Sequence, residues 1–279
     1  MLLPALILLV AFTHWPTLRT FWRSVFWAKS DVAPSNFVGL ENYALLIEDP
    51  VFWKVLENNF WYAVGTVPTS IALAIVMAIW VNGKIRHAGL LRLAFFTPTI
   101  LPMITVANIW LFFYSPDIGL FDQVLSIFGI DGPNWLGDPD MALSSIMLMT
   151  IWKEAGFFMI FYLAALQTLS PELYEAARLE GAGPWRIFRK ITFPLLMPTT
   201  LFVLINALLN AFKLVDHIFI LTKGGPNNAS NLLLYYIYET AFSFLDSYYA
   251  ATLTVVMLVA LALIALVQLF YIDRKVHYK

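Results

Sequence analysis

Six long apolar runs constrain this chain more than any other feature of its sequence. They lie at about 2–18, 60–81, 91–114, 141–167, 199–221 and 248–271. A helix needs roughly 17–25 mainly apolar residues to cross the hydrocarbon core of a bilayer. Because 60% of the 279 residues are hydrophobic and only 13% are charged, a water-soluble domain could not bury the excess apolar surface. The sequence therefore predicts an all-α membrane protein, with six transmembrane helices forming a single domain over 1–279.

The first run has an alternative interpretation as a secretory signal peptide. No basic residue precedes Leu2 and no small-x-small cleavage site follows the run, so a transmembrane helix is the preferred interpretation.

The distribution of basic residues predicts the orientation of the six spans. An even number of spans places both termini on one side, and Lys and Arg concentrate on the cytoplasmic side. With cytoplasmic termini, the inner segments carry Lys84, Arg86, Arg92, Arg178, Arg186, Arg189, Lys190, Arg274, Lys275 and Lys279. The outer segments carry only Arg19, Arg23, Lys29, Lys54 and Lys223. Both termini are therefore predicted to be cytoplasmic.

Composition excludes several classes of function. Cysteine is absent, which excludes disulfides, thiol catalysis and thiolate metal sites. A formal net charge of −1 gives no basic field for nucleic acid. The four histidines (His14, His87, His217 and His277) are far apart, so no metal site is predicted. The chain also has no G-x-x-x-x-G-K-[ST] run for binding ATP. We therefore predict no catalytic residue and no cofactor bound by this chain.

One inner connection, at about 168–198, has the pattern of two short helices joined by a glycine turn. Ser170 followed by Pro171 predicts a capped helix start, and Gly181 predicts its end. Pro184 predicts the start of a second helix, which Pro194 is expected to end. The sequence thus predicts a helical elbow that projects into the cytoplasm.

The first helix of this elbow has a narrow apolar stripe made by Leu173, Ala176 and Ala177. Two of the three side chains are very small, so another backbone could approach closely, as when a helix lies in the groove of a partner. The alternative is that the stripe packs on the membrane domain of the same chain. The residues alone leave both interpretations open.

Residues 175–194 resemble the EAA loop of membrane subunits of bacterial ABC importers. The matching features are Glu175-Ala176-Ala177, Gly181 four residues later, and the ending Ile191-Thr192-Phe193-Pro194. Glu180 stands where the family usually has Asp, which keeps the charge. In that family the loop is a coupling helix that docks in a cleft of a cytoplasmic ATPase. The resemblance implies a coupling loop at 170–194, with ATPase contacts at Glu175, Ala176, Ala177, Glu180 and Gly181.

Other stretches resemble the carbohydrate-uptake subfamily that is related to maltose permeases. Residues 37–43 resemble its FVGLxNY stretch, and residues 221–226 resemble its LTxGGP stretch. The Arg274-Lys275-Val276 tail resembles that of the glycerol-3-phosphate and lactose-type permeases. The glycine pair beside Lys223 is also compatible with phosphate binding, although we interpret it as a tight turn ending the fifth span.

This second resemblance implies an importer permease in the bacterial cytoplasmic (inner) membrane, in the lipid bilayer. Its implied partners are a second permease, two ATPase subunits that carry ATP and Mg, and an extracytoplasmic solute-binding protein, with no nucleic acid. The implied solute is a sugar, a polyol or glycerol 3-phosphate.

Polar side chains inside the predicted spans are candidates for the solute pathway, because charge at bilayer depth needs a cavity or a partner. The fifth span has a predicted polar stripe that extends to His217, and Pro98 and Pro102 predict a kink in the third span. The candidates are Asn108, Trp152, Lys153, Asn206, Asn210 and Lys213. The alternative is that they hold neighbouring helices together by hydrogen bonds, and Lys153 would also suit a phosphate.

Two other classes of membrane protein have sequence signatures that differ from this one. A stand-alone secondary transporter or channel would favour an internal repeat or buried ion-coupling carboxylates. A membrane-embedded enzyme would favour clustered histidines or carboxylates. The sequence has no obvious repeat, few acidic residues within the spans and no such cluster.

Overall fold

The computed structural model describes residues 3–28, 34–83 and 88–268. Several residues of the predicted orientation therefore lie outside the described residues: Lys29, Lys84, Arg86, Arg274, Lys275 and Lys279, together with the Arg274–Val276 tail. Within the described ranges the chain is mainly α-helical, with one small antiparallel sheet of β1 (Phe26–Trp27) and β2 (Asn36–Phe37).

The helices begin and end at the following residues. In chain order they are α1 (Leu3–Leu9), α2 (Trp15–Ser24), α3 (Glu41–Glu48), α4 (Pro50–Asn82), α5 (Ala88–Ile100), α6 (Met103–Phe113), α7 (Leu120–Ile127), α8 (Pro139–Thr168), α9 (Pro171–Leu179), α10 (Pro184–Ile187), α11 (Phe193–Leu195), α12 (Met197–Lys213), α13 (Asp216–Leu221), α14 (Leu233–Tyr238) and α15 (Ser247–Val267). Short π-helical segments occupy Val10–His14, Phe188–Thr192 and Glu239–Ser243.

Four helical segments of the described chain are long and apolar enough to cross a membrane. They are α4, α8, the α12–α13 segment Met197–Leu221, and α15, and the bent pair α5–α6 makes a fifth if it counts as one broken span. The first predicted span falls on α1, the π-helical segment Val10–His14 and α2, which adjoin one another but do not form one long α-helix. The all-α membrane fold is therefore confirmed, and the count of six spans stays a prediction.

The third predicted span, 91–114, is broken rather than continuous. Helices α5 and α6 meet at an angle of 101° around Leu101 and Pro102. Proline has no backbone N–H, so Pro102 cannot donate the helical hydrogen bond to the carbonyl of Pro98. The prolines thus produce the predicted change of direction, and it takes the form of a sharp break rather than a mild kink.

The fifth predicted span, 199–221, is also interrupted. Helix α12 ends at Lys213 because Leu214 has an extended backbone, with φ −83° and ψ 116°, and α13 begins only at Asp216. His217 therefore does not continue the helical face of Asn210. The prediction of one uninterrupted polar stripe is wrong at His217, whose side chain is completely buried.

The core of the described chain lies where α4 packs against α8. Its fully buried side chains include Tyr62 and Ala74 of α4 and Ile146, Met149 and Phe158 of α8. Helix α5 crosses α8 very closely at Gly156, where an added Cβ would lie only 2.2 Å from the carbonyl oxygen of Phe95. No side chain fits in that space, so this glycine sets the separation of the two helices.

The stretch that resembles FVGLxNY fastens the amino-terminal helices to the rest of the fold. The Asn42 side-chain amide donates to the carbonyls of Ser24 at 3.0 Å and Phe26 at 2.9 Å. The Tyr43 hydroxyl donates to Ser24 Oγ at 2.8 Å, and Thr252 Oγ1 of α15 donates to the Ser24 carbonyl at 3.3 Å. This stretch therefore ties α2 and α3 together, and Thr252 adds α15 to the joint.

The turn that resembles LTxGGP is held by two asparagines of α4. The Asn58 side-chain amide donates to the carbonyls of Asn228 at 2.7 Å and Asn231 at 3.0 Å. Asn59 Oδ1 accepts from the backbone N–H of Leu233 at 2.6 Å. Gly224 has φ +78°, which favours glycine. The residues therefore form a tight turn at the end of α13, as interpreted from the sequence.

Asp49 joins three helices on the same side of the molecule, the predicted outer side. Its Oδ1 accepts from the backbone N–H of Val51 at 2.8 Å and so caps α4. Its Oδ2 accepts from the hydroxyls of Tyr236 at 2.5 Å and Tyr249 at 2.7 Å. Burial alone would raise the pKa of Asp49, but these hydrogen bonds and those from the backbone of Val51 and Phe52 outweigh it, and the pKa lies below the usual 3.8.

We expect Asp49→Ala to lower the free energy of unfolding by about 3 kcal/mol, because it removes a helix cap and two hydrogen bonds to a carboxylate. Asp49→Asn keeps an acceptor oxygen and a good cap, so its expected loss is about 1 kcal/mol. Thermal unfolding of the purified protein in detergent measures both. Unfolding of Asp49→Ala at the wild-type temperature would contradict this assignment.

The same contacts predict a dependence on pH. Since the pKa of Asp49 is lowered by folding, the ionised group stabilises the fold at every pH above its ordinary value of 3.8. This stabilisation is lost as the pH falls below that value and through the lowered pKa. The difference in unfolding temperature between the wild type and Asp49→Asn should therefore stay constant from neutral pH down to about pH 5 and shrink in stronger acid.

Candidate functional site: a projecting elbow and an intramembrane crevice

The elbow between α8 and α12 begins with a regular, capped helix. Ser170 Oγ accepts from the backbone N–H of Glu172 at 3.3 Å at the start of α9. At its end, the backbone N–H of Ala182 donates to the carbonyl of Ala177 at 2.9 Å, and that of Gly181 to Arg178 at 3.0 Å. Gly181 has φ +76°, and this pair of hydrogen bonds is a Schellman cap. The predicted start and end of the first helix are confirmed.

The second half of the elbow is one helical run. It continues from α10 through the π-helical segment Phe188–Thr192 into α11 and ends at Leu195, one residue after Pro194. The predicted end at Pro194 is therefore confirmed to within one residue. The hydroxyls of Tyr174 and Thr192 lie 3.3 Å apart, within hydrogen-bond distance, and connect the two halves of the elbow.

Most of the residues that resemble the ATPase-contacting set are exposed. Glu175, Ala176, Glu180 and Gly181 are exposed, whereas Ala177 is 7% exposed and buried within the chain. The apolar stripe of α9 is therefore divided: Ala177 packs within the chain, and Leu173 and Ala176 remain open. Docking of the open part of the stripe on a partner stays a prediction.

The sequence reasoning missed two large apolar side chains on the same elbow. Leu179 is 90% exposed and Trp185 is 72% exposed. Leu179 lies three residues after Ala176 and so continues its helical face. That spacing was the signal that could have identified it. The open surface of the elbow consequently combines acidic residues with an apolar side chain at its turn.

Lys153 lies at bilayer depth on α8 and is only 8% exposed. Its Nζ donates to the backbone carbonyls of Pro98 at 3.0 Å and Leu101 at 2.7 Å. Because Pro102 has no backbone N–H, the carbonyl of Pro98 has no helical donor four residues later. Both carbonyls lie at the carboxyl-terminal end of α5, where the helix dipole favours a cation. Lys153 therefore caps the broken third span, which agrees with the interhelical alternative for this residue.

Glu154 points to a different neighbour from Lys153. Its Oε2 accepts from the Asn210 side-chain amide of α12 at 3.0 Å. Both residues line a small crevice between α4, α8 and α12, whose other polar lining is Tyr62, Thr66, Ser70 and Thr150. The crevice has a volume of about 10 Å³, the room of one water molecule. This polar crevice was not identified from the sequence, because its six polar residues come from three separate helices.

A chain of hydrogen-bonding groups supports one wall of the crevice. The Tyr62 hydroxyl lies 2.8 Å from Thr150 Oγ1 and 3.0 Å from His217 Nε2. Ser70 Oγ is buried in the crevice lining and has no hydrogen-bond partner among the described residues. The crevice therefore offers an acceptor carboxylate, an amide and at least one hydroxyl that is free to bind a further polar group.

The other pathway candidates do not reach this crevice. Asn108 and Asn206 donate back to carbonyls of their own helices, those of Ile104 and Phe202, each at 2.8 Å. Trp152 is 42% exposed on α8, with its ring 5.6 Å from that of Trp110. Lys213 is exposed in the last turn of α12. Of the predicted pathway residues, only Asn210 lines the crevice.

Several apolar helices of membrane-crossing length, a broken span and a projecting helical elbow define a multi-pass membrane transport subunit. The chain belongs to the family of binding-protein-dependent transport system inner membrane components, whose model matches residues 50–278. This family consists of transport components rather than enzymes, and the chain is an inner-membrane permease of the ABC-importer type.

Curated relatives match almost the whole chain. The probable ABC transporter permease protein YurN of Bacillus subtilis is 34% identical over 275 residues, covering 97% of this chain and 94% of the relative. The lactose transport system permease protein LacF of Rhizobium radiobacter is 34% identical over 278 residues, covering 98% of this chain and 92% of the relative. The family predicted from the elbow and the FVGLxNY stretch is confirmed.

The fold is similar to that of a solved importer. A chain of a bacterial ABC transporter involved in the import of the acidic polysaccharide alginate has a TM-score of 0.87 and 24% identity, covering 98% of this chain and 94% of that chain. The bacterial alginate ABC transporter in complex with an alginate pentasaccharide-bound periplasmic protein gives a TM-score of 0.83, also at 24% identity, covering 98% of this chain and 91% of that chain. At this level of identity the likeness concerns the fold.

Proposed function

We propose that this permease forms one half of the solute pathway of an ATP-driven importer in a bacterial cytoplasmic membrane. Its proposed partners are a second permease, two ATPase subunits that hold ATP and Mg, and an extracytoplasmic solute-binding protein. The proposed topology has six spans with both termini in the cytoplasm. The observation that carries the proposal is the elbow of α9 and α10, which has the Glu175-Ala176-Ala177 pattern and exposes Leu179 at its turn.

The elbow has the properties that a mechanical coupling element needs. Movement of an ATPase can reach the membrane helices only through a packed and stiff contact. Helix α9 is capped at both ends, and Tyr174 connects it to Thr192 of the second half. Exposed Leu179 would fill an apolar pocket of the ATPase, and exposed Glu175 and Glu180 would contact its polar rim.

The crevice beside Glu154 and Asn210 is the part of the pathway that this chain would supply. Its polar groups are hydroxyls, an amide and a carboxylate, which suit the hydroxyl groups of a sugar or polyol. Ser70 Oγ, which lacks a partner among the described residues, would bind one such hydroxyl. The volume of about 10 Å³ fits a closed pathway, which would widen when solute is passed from the binding protein.

A sugar or polyol is the solute class we propose, and the name of the lactose transport permease among the relatives agrees with it. Glycerol 3-phosphate is less well supported by the geometry. The cation that would suit its phosphate, Lys153, is already bonded to the carbonyls of Pro98 and Leu101.

We expect Asn210→Leu to raise the apparent Michaelis constant for uptake about tenfold or more, since the loss of one hydrogen bond to a polar solute, with its partner left buried, costs about 1–3 kcal/mol. Uptake of labelled solute at several concentrations measures this. The matched control is Asn206→Leu, because Asn206 donates only to its own helix. A lower amount of Asn210→Leu protein with an unchanged apparent constant would instead identify a purely structural bond to Glu154.

Reconstitution tests the proposed function as a whole. Vesicles that contain both permeases, the two ATPases and the binding protein should accumulate solute only with ATP. Vesicles without the ATPases should not accumulate it. Transport by the permease chain alone would overturn the proposal.

A further inference from the structure

Helix α7, between α6 and α8 on the predicted outer side, carries an apolar face that no described part of the chain covers. Leu120 is 43% exposed, Val124 45%, Ile127 78% and Phe128 74%. The first three recur at i, i+4 and i+7 and form one stripe along the helix. Phe128, just beyond the last residue of α7, is a further exposed apolar side chain. An open apolar stripe of this kind on a rigid helix indicates an interaction surface.

The opposite face of α7 is fastened to the membrane helices. The ring of Phe121 lies 5.6 Å from Trp110, 5.3 Å from Tyr114 and 5.6 Å from Trp135. Asp122 accepts from the indole N–H of Trp135 at 2.7 Å and, through its other oxygen, from a backbone N–H at 2.9 Å. Because of these contacts, the exposed stripe has a fixed direction relative to α6.

These contacts also set the depth of α7. Trp110 and Tyr114 lie in the last turn of α6 and just after it, so α7 lies where α6 leaves the membrane. Trp and Tyr favour this interfacial level of a bilayer. On α6 itself, Leu111 and Phe112 are 39% and 58% exposed, so the apolar surface of the span continues towards the stripe of α7.

We propose that α7 is an interfacial helix whose stripe of Leu120, Val124 and Ile127, together with Phe128 just after the helix, is immersed in the outer leaflet of the bilayer. The partner would be the boundary between acyl chains and uncharged headgroups. Residues 115–138 contain Asp117, Asp122, Asp131 and Asp138 but no Lys, Arg or His, so attraction to anionic headgroups is absent. Apolar burial alone would hold the helix in the lipid. The proposal rests on α6 and α8 crossing the membrane, and it goes beyond the proposed importer function.

The absence of cysteine from the sequence makes a direct test simple. Ile127→Cys and Phe128→Cys would each carry a nitroxide label, and Ser126→Cys, on the polar edge of α7, is the matched control. The complete importer, with cysteine-free partners, would be placed in lipid nanodiscs of zwitterionic lipid. Collision of the label with oxygen, which is enriched in lipid, would be compared with collision with a water-soluble nickel chelate.

We expect oxygen to collide more often than the nickel chelate at 127 and 128, and the order to reverse at 126. Two outcomes would overturn the proposal. If 127 and 128 behave as 126 does, the stripe faces water. If both reagents are excluded at 127 and 128, the stripe is covered by the second permease or by the binding protein. Neither outcome affects the reconstituted ATP-driven uptake, so a failure here is distinguishable from a failure of the proposed function.

Discussion

Leu179→Asp is expected to abolish ATP-driven uptake while the amount and the unfolding temperature of the protein stay unchanged. Leu179 is 90% exposed, so its removal takes almost no packing from the permease itself. If it fills a pocket of the ATPase, a carboxylate there would be buried without a partner, and loss of one such apolar anchor costs about 2 kcal/mol or more. ATPase binding should therefore weaken at least about twentyfold.

This prediction is measured by uptake in reconstituted vesicles and by co-purification of the ATPase. Leu45→Asp is the matched control, because Leu45 is 57% exposed on α3, in the segment predicted to lie on the outer side, and should tolerate the same change. Glu175→Lys, which reverses a charge on the exposed face of α9, should also block uptake. Normal uptake by both Leu179→Asp and Glu175→Lys would remove the coupling role from the elbow.

Gly181→Asp adds a separate test of the same surface. A Cβ at Gly181 would meet no atom within 4 Å, so the new side chain meets no steric barrier. Its φ of +76° costs a residue other than glycine about 1–2 kcal/mol, and asparagine and aspartate tolerate this region better than most. Gly181→Asn carries the same strain without the charge. Loss of uptake in the aspartate variant alone would indicate that the charge, rather than the turn, disturbs the contact.

Lys153→Met is expected to produce the second large effect, a loss of stability rather than of solute affinity. Lys153 donates to the carbonyls of both Pro98 and Leu101 at the break between α5 and α6. Leaving a buried acceptor without a partner costs about 1–3 kcal/mol, so the expected net loss is about 2 kcal/mol after removal of a charge from the membrane. The unfolding temperature should fall by about 4–8 °C.

The matched control is Lys190→Met, because Lys190 is exposed on the elbow and makes no contact at the break. Uptake kinetics of the surviving Lys153→Met protein decide between the two interpretations of Lys153. An unchanged apparent Michaelis constant with lowered stability agrees with a helix cap. A higher constant for a phosphate-bearing solute with unchanged stability would show that Lys153 binds solute.

The sequence predicted those parts of the fold that depend on local patterns. Apolar runs of helical length predicted α4, α8 and α15, and the cap residues Ser170 and Gly181 predicted the limits of α9. Even for these helices, some observed boundaries differ from the predicted ones. Helix α4 begins at Pro50 rather than near residue 60, because Asp49 caps it, and a carboxylate cap can begin a helix in a less apolar stretch.

The parts that failed depend on partners from distant segments. The pairing of Lys153 with Pro98 and of Glu154 with Asn210 joins residues more than fifty positions apart. The sequence indicates that Lys153, a charge at bilayer depth, needs a partner, but it does not identify the partner. In the same way, the spacing of His217 predicted that it continues the polar stripe of the fifth span. The extended backbone at Leu214 interrupts the helix, and His217 Nε2 instead lies 3.0 Å from the Tyr62 hydroxyl.

The break in the third span has a consequence for how the protein is made. Helices α5 and α6 leave the ribosome before α8, so the Pro98 and Leu101 carbonyls enter the bilayer before the side chain that will bond to them exists. These two hydrogen bonds can form only after Lys153 has been synthesised, about fifty residues later. The final geometry at the break therefore depends on a side chain that the ribosome adds with α8.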